Sequence, residues 1–160
     1  MWKNVSWCVL VLTAVLLVQS FRDKSLVSGF APVISAPVFN QKDAQKDSAK
    51  GPSLVYFWAS WCGICKSIQG TMQTILDQYP GITVAMKSGN EQAVKQYLRS
   101  ASLDWPYVVD QQGQISSEYG IKGVPTIFIL DGDGNIRFTA VGYSSVWGLK
   151  LRLWLAGFDG

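Results

Sequence analysis

The apolar run Ser53-Leu-Val-Tyr-Phe-Trp-Ala59 leads almost directly into Cys62-Gly63-Ile64-Cys65, and that junction constrains the chain more than any other feature. The run consists of strand formers and follows Gly51-Pro52, as expected of a strand buried on both faces. A helical stretch is predicted from about Cys62 to Gln78, closed by Pro80-Gly81. The first cysteine therefore stands at a helix start, where unpaired backbone N–H groups and the positive end of the helix dipole face it. Such groups stabilise a thiolate and lower the thiol's pKa. Cys65 lies one helical turn deeper, within reach of Cys62, so the two can close a disulfide. A thiolate on Cys62 can attack a second disulfide, and Cys65 can then resolve the mixed species.

The pattern on either side supplies the frame. Ile82-Thr-Val-Ala-Met86 reads as a second buried strand. Asn90 caps a helix to Ser100 with Ala93, Val94, Tyr97 and Leu98 as its stripe. Tyr107-Val-Val109 is short and extended, and Gln114 to Tyr119 makes one or two helical turns. Thr126 to Leu130 and Asn135 to Val141 are strands joined by Asp131-Gly-Asp-Gly134, a hairpin signal. Ser144 to Phe158 is a helix whose apolar face is read as Trp147, Leu151, Trp154, Leu155 and Phe158, packed on the sheet, with contact to a bilayer as the alternative. The order β-α-β-α-β-α-β-β-α predicts an α/β fold with a mixed central sheet flanked by helices on both faces.

Composition removes many functions. The chain of 160 residues is 48% hydrophobic and 16% charged, which is not the balance of a disordered protein. Its 14 basic and 11 acidic side chains leave a scattered +3, so nucleic-acid binding is not expected. Histidine is absent, which excludes Ser-His-Asp triads, Cys-His nucleophile pairs and histidine-ligated metals. Three other uses of Cys62 and Cys65 stay open beside redox cycling. A zinc half-site would need two further ligands, for which only carboxylates remain. A static disulfide closing so short a loop is a poor staple. A two-coordinate Cu(I) dithiolate is the third, although the common Met-x-Cys-x-x-Cys copper loop would have methionine at Ser60. No resident metal or cofactor is expected.

The N-terminus differs in kind from the rest. Val5 to Phe21 spans 17 residues without a charge, behind Lys3 and ahead of Arg22-Asp23-Lys24. Residues 1–21 are read as a transmembrane anchor at the short end of the usual range, with a cleaved signal peptide ending near Val18-Gln19-Ser20 as the alternative. Lys3 against Arg22 and Lys24 leaves orientation nearly undecided. Cys8 lies inside the run and is read as a small apolar residue. Residues 22–50, with Pro32, Pro37, Gly29 and the alternating charges of Gln41 to Lys50, are read as a tether carrying at most a short edge strand at Val38-Phe39. Residues 51–160 form the globular domain.

Phe57-Trp58-Ala59-Ser60-Trp61-Cys62-Gly63-Ile64-Cys65-Lys66 resembles the active-site signature of the thioredoxin superfamily, and Gly123-Val124-Pro125-Thr126 resembles its second mark. The resemblance implies a thioredoxin fold, a cis-proline at Pro125 facing the cysteines, and Cys62 and Cys65 as the redox disulfide. It implies that Trp61, Gly63, Ile64, Val124 and Pro125 position the substrate, with the Val124 backbone pairing to an extended segment around the attacked bond. The likeness continues through Ala85-Met-Lys-Ser-Gly89, Leu103-Asp-Trp-Pro-Tyr-Val108 and Gly142 to Trp154. There it is similar to the membrane-anchored suppressor-of-copper-sensitivity group, ScsD, near the TlpA and DsbE branch. That group implies a single-pass inner-membrane anchor, a periplasmic domain, exchange with disulfide-bearing exported proteins, and electrons from a DsbD/ScsB-type membrane donor. A monomer is expected.

Departures narrow this reading. Tyr56 stands where thioredoxins carry a buried aspartate, and a phenol is a poor base at neutral pH. Thr126 replaces the acidic residue that follows the cis-proline in the cytochrome-maturation branch. The interval from Cys65 to Pro125 is short for the inserted helical domain of DsbA-type oxidases. Asp131-Gly-Asp133-Gly-Asn135 begins like a calcium loop, but Ile136 and Gly142 stand where glycine and glutamate are required, so it reads as a turn.

Overall fold

The computed structural model describes residues 26–40 and 51–158. Within them lie β1 (Gly29–Phe30), β2 (Ser53–Trp58), α1 (Gly63–Ser67), α2 (Gln69–Leu76), β3 (Gly81–Met86), α3 (Glu91–Ser100), β4 (Tyr107–Asp110), α4 (Gln114–Glu118), β5 (Thr126–Leu130), β6 (Asn135–Val141) and α5 (Val146–Ala156). The strands form one sheet in the order β1-β6-β5-β2-β3-β4. β2 pairs with β3 in parallel and β3 with β4 likewise, whereas β2–β5, β5–β6 and β1–β6 are antiparallel. The mixed sheet expected from the element order is therefore present.

Period-two alternation on the central strands divides the core into two layers. Leu54, Tyr56 and Trp58 of β2 face the same side as Ile127 and Ile129 of β5, and α1, α2, α3 and α5 cover them with Ile68, Met72, Ile75, Val94, Leu98, Leu149 and Leu153. Val55 and Phe57 face the other side with Phe128, Leu130 and Tyr119. Gly81 is needed for the first layer. A Cβ there would come within 3.0 Å of the Leu54 backbone oxygen and 2.9 Å of a Leu76 methyl, so a side chain would wedge α2 off β2.

Three expectations are corrected. The helix expected over Cys62–Gln78 is two helices with a break at Ile68 (φ −104°, ψ 7°). There the Ile68 N–H donates to Cys65 O at 3.3 Å, a tight three-residue turn, while Ser67 Oγ donates back to Ile64 O at 2.8 Å. Ile68 and Met72, one helical turn apart, are both fully buried.

The apolar face assigned to the last helix points the wrong way. Leu149, Leu153 and Ala156 are the buried residues of α5, and Trp147, Leu151, Trp154, Leu155 and Phe158 are exposed. The helix is apolar nearly all round, so two stripes share the helical period and the smaller side chains take the sheet.

The stretch expected as a tether is part of the folded unit from Leu26 to Asn40. Gly29 and Phe30 pair with Ile136 and Asn135, Phe39 bridges to Tyr107, and Tyr119 Oη donates to Pro32 O at 2.7 Å. Leu26, Val27, Ala31 and Ile34 pack on the second layer, which of the helices only the five-residue α4 otherwise helps to cover. Residues 41–50 and the expected N-terminal membrane helix, residues 1–21, lie outside the described residues. Among the described residues no helix is long and apolar enough to cross a membrane.

Candidate active site

β2 delivers the site. It ends at Trp58, a turn closes with the Cys62 N–H donating to Ala59 O at 3.1 Å, and α1 begins at Gly63. Cys62 is the N-cap, with extended backbone (φ −83°, ψ 112°), and its Sγ accepts the Cys65 N–H at 3.1 Å. Sulfur here takes the place usually held by a serine or aspartate oxygen at a helix start. Cys62 and Cys65 are joined as a disulfide with Cα atoms 5.2 Å apart, inside the range such bonds accept.

The antiparallel register sets the second element. Phe57 pairs with Thr126, so the residues just before β5 fall beside the cysteine turn. The Val124–Pro125 peptide is cis. Val124 O lies 3.4 Å from Cys62 Sγ. Thr126 Oγ1 donates to Gly123 O at 2.9 Å, and the Gly142 N–H donates to Pro125 O at 2.8 Å, fixing the turn from both ends. The hydroxyl of Thr126 is thus used in closing the turn.

Accessibility separates the expected residues. Cys62 is 7% and Cys65 2% exposed, whereas Trp61 is 61% and Ile64 53% exposed. Gly63 is exposed, and a Cβ there would meet nothing within 4 Å. The structure therefore gathers Trp61, Cys62, Gly63 and Ile64 on one rim, the Val124 carbonyl of the cis Val124–Pro125 peptide against its sulfur, and Cys65 beneath. Of the two cysteines, Cys62 is the more exposed.

Two contacts were not anticipated. The Ser60 N–H donates to Ser88 Oγ at 3.0 Å, and Ser88 Oγ donates to Met86 O at 3.1 Å. The Trp61 indole Nε1–H donates to Lys87 O at 3.1 Å. The loop after β3 thus pins the loop after β2. Parallel pairing of the two strands, Trp58 beside Ala85, brings their ends together, and that adjacency was the available signal.

Below the site lies an aromatic cluster. Trp105 stands edge-on to both Tyr56 (5.8 Å) and Trp58 (5.6 Å), and Trp58 stacks on Tyr97 at 5.4 Å. Tyr56 is fully buried, and its hydroxyl has no hydrogen-bond partner among the described residues. Burial, then the neighbouring Tyr97, pushes its phenol well above the ordinary value. Tyr56 therefore stays protonated and cannot serve as a base.

A model of the AhpC/TSA family matches residues 27–139. A thioredoxin-like protein of Haemophilus influenzae is 36% identical over 110 residues, covering 68% of this chain and 65% of that protein. The thiol-disulfide oxidoreductase ResA of Bacillus cereus is 30% identical over 122 residues, covering 73% of this chain and 70% of its own length. The crystal structure of StoA from Bacillus subtilis superposes with a TM-score of 0.60 at 27% identity, over 76% of this chain and 98% of that one. The chain spans about two thirds of the length of the Haemophilus relative.

Proposed function

The chain belongs to the AhpC/TSA family of thioredoxin-fold proteins, and we propose that it is a thiol:disulfide oxidoreductase working as a reductant of disulfides in exported proteins. The observation that carries this reading is the Cys62–Cys65 disulfide at a helix start with the Val124 carbonyl 3.4 Å from the outer sulfur. The name of the ResA relative supports it.

In the reduced protein the Cys62 thiolate attacks one sulfur of a substrate disulfide, and the other leaves as a thiolate that takes a proton. Cys65, deprotonated, then attacks Cys62 Sγ, and the second substrate sulfur leaves and is protonated. The substrate gains two electrons and two protons, and Cys62–Cys65 becomes the disulfide. Val124 offers its carbonyl, and Trp61 and Ile64 offer apolar surface, to an extended substrate segment.

The finer reading rests on the sequence. Residues 1–21 anchor the chain in a bacterial inner membrane as a single span, the domain works in the periplasm as a monomer, and a DsbD/ScsB-type donor returns it to the dithiol. Membership of the ScsD group, with a part in copper or redox stress tolerance, belongs to the same reading.

Turnover of a protein disulfide by the full chain tests the activity. Cys62→Ser is expected to abolish it, and Cys65→Ser to accumulate mixed disulfides through Cys62. Wild-type turnover by Cys62→Ser contradicts the reading. Stoichiometric tight Cu(I) binding without reductase activity replaces it with metal sequestration at the same pair.

A further inference from the structure

α5 carries its largest apolar side chains on the outside. Trp147 is 82%, Leu151 57%, Trp154 57% and Phe158 66% exposed, and Leu155 adds to their edge. On a helix of 3.6 residues per turn these positions form one stripe, opposite Leu149, Leu153 and Ala156, which hold α5 to the sheet. Trp154 and Phe158 meet edge-on at 4.4 Å within the stripe and still leave most of both rings in water. A contiguous apolar patch of this kind marks a contact surface.

The charges flanking the stripe indicate what covers it. The only ionisable side chains in α5 are Lys150 and Arg152. Helical spacing puts Lys150 between Trp154 and the buried face on one flank, and Arg152 between Leu155 and the buried face on the other. No acid lies on the helix, and Asp159 follows Phe158 beyond its end. Tryptophan, leucine and phenylalanine between two cations form the pattern of a helix lying in a bilayer interface, with the rings at the headgroup boundary and the cations on anionic lipid. The chain enters the folded unit at Leu26, five residues beyond the apolar run that ends at Phe21. Its first strand, β1, is the edge strand beside β6, and α5 packs over β5 and β6, so β1 and α5 share one lateral edge of the sheet, with Leu26 packed on the face opposite α5.

We propose that the outward stripe of α5 docks on the surface of an anionic lipid bilayer, laying the domain on the membrane rather than letting it swing on a tether. The inference rests on the anchored reading for its proximity and on α5 alone for its chemistry. α5 starts four residues after Gly142, whose N–H holds Pro125 O. Docking through α5 therefore leaves Cys62 beside the lipid surface and open, where a membrane-embedded electron donor presents its own thiols.

The test is photolabelling of the full chain, reconstituted in phosphatidylcholine vesicles with or without phosphatidylglycerol, by a carbene precursor carried on a phospholipid acyl chain. Trypsin then separates residues 4–22 from residues 153–160, so anchor and stripe are read independently. The expected result is label in both peptides, with 153–160 labelled several-fold more when phosphatidylglycerol is present. The Trp147→Ser, Trp154→Ser, Phe158→Ser triple variant loses label in 153–160, keeps it in 4–22 and keeps turnover. Label in 4–22 with none in 153–160 overturns the docking and leaves the anchor standing. Label in 153–160 with none in 4–22 overturns the anchor and leaves the docking. Chemical cross-linking of α5 to a second copy or to another protein, with 153–160 unlabelled, assigns the stripe to a protein interface instead. The wild-type pattern decides the proposal even if the triple variant fails to fold.

Discussion

The backbone N–H of Cys65 points at the sulfur of Cys62 from 3.1 Å. One donor thus serves two ends: it caps α1, and in the reduced protein it faces a thiolate on the outer cysteine. Cys65 has no comparable exposure, being 2% accessible. A limiting dose of iodoacetamide on the reduced protein is therefore expected to alkylate Cys62 nearly alone, read by peptide mass mapping. Equal modification of both cysteines would contradict the assignment of attacking and resolving roles.

Tyr56→Phe isolates a buried hydroxyl that has no partner among the described residues. A buried polar group without a hydrogen bond costs about 1–3 kcal/mol in protein mutational data, so removing it is expected to leave stability equal or raise it by about 1 kcal/mol. Turnover and its pH profile should not move, because the phenol stays protonated. A fall in turnover with a displaced pH profile would give Tyr56 a part in proton transfer that its burial denies.

The elements that carry the candidate site were legible in the sequence, and their surroundings were not. β2, the helix start after Cys62, the Asn90 cap and the 131–134 hairpin each carry a local signal: an apolar run, a capping residue, a turn with Gly134 at φ 87°. Three features lacked such a signal. Leu26, Val27, Ala31 and Ile34 are scattered among prolines and glycines without any period, and only the need to cover Tyr119 and Phe128 orders them. The break at Ile68 falls inside a stretch with no proline and no glycine at the break itself, so no local breaker marks it. On α5 both stripes repeat with the helical period, and reading the larger side chains as core selected the face that the structure leaves in water.

Asp110 ends β4 with its carboxylate 3% exposed, accepting from the N–H groups of Ile115 (3.3 Å) and Ser116 (2.8 Å) and from Ser116 Oγ (2.6 Å). It thereby holds the first turn of α4 to the sheet. Asp110→Ala leaves those donors buried and unmet, and is expected to lower stability by about 2–3 kcal/mol in urea unfolding. Turnover of the folded fraction should be unchanged. A loss below about 0.5 kcal/mol would show that water takes over the donors.

Asp131 gives the chain an acid-sensitive hairpin. Burial pushes its carboxyl up, but the Asn135 N–H (2.9 Å), the Asn135 amide and the Asp133 N–H (3.0 Å), with Arg137 nearby, outweigh burial and hold it below its ordinary value. A carboxyl that binds its proton less tightly when folded contributes stability above its unfolded value of about 3.9, and that contribution is lost as pH falls through the folded value. The stability difference between wild type and Asp131→Asn is therefore expected to be full at neutral pH and to shrink below about pH 4. A difference that grew on acidification would reverse the sign and refute the hydrogen-bonded account.

The reduction potential of Cys62–Cys65, from equilibration of the full chain with dithiothreitol or glutathione buffers, tests the central claim most directly. A reductant that draws electrons from a membrane donor is expected near thioredoxin, at about −270 mV. A value near about −120 mV, the range of a strong oxidant, would reverse the direction of exchange and contradict the account.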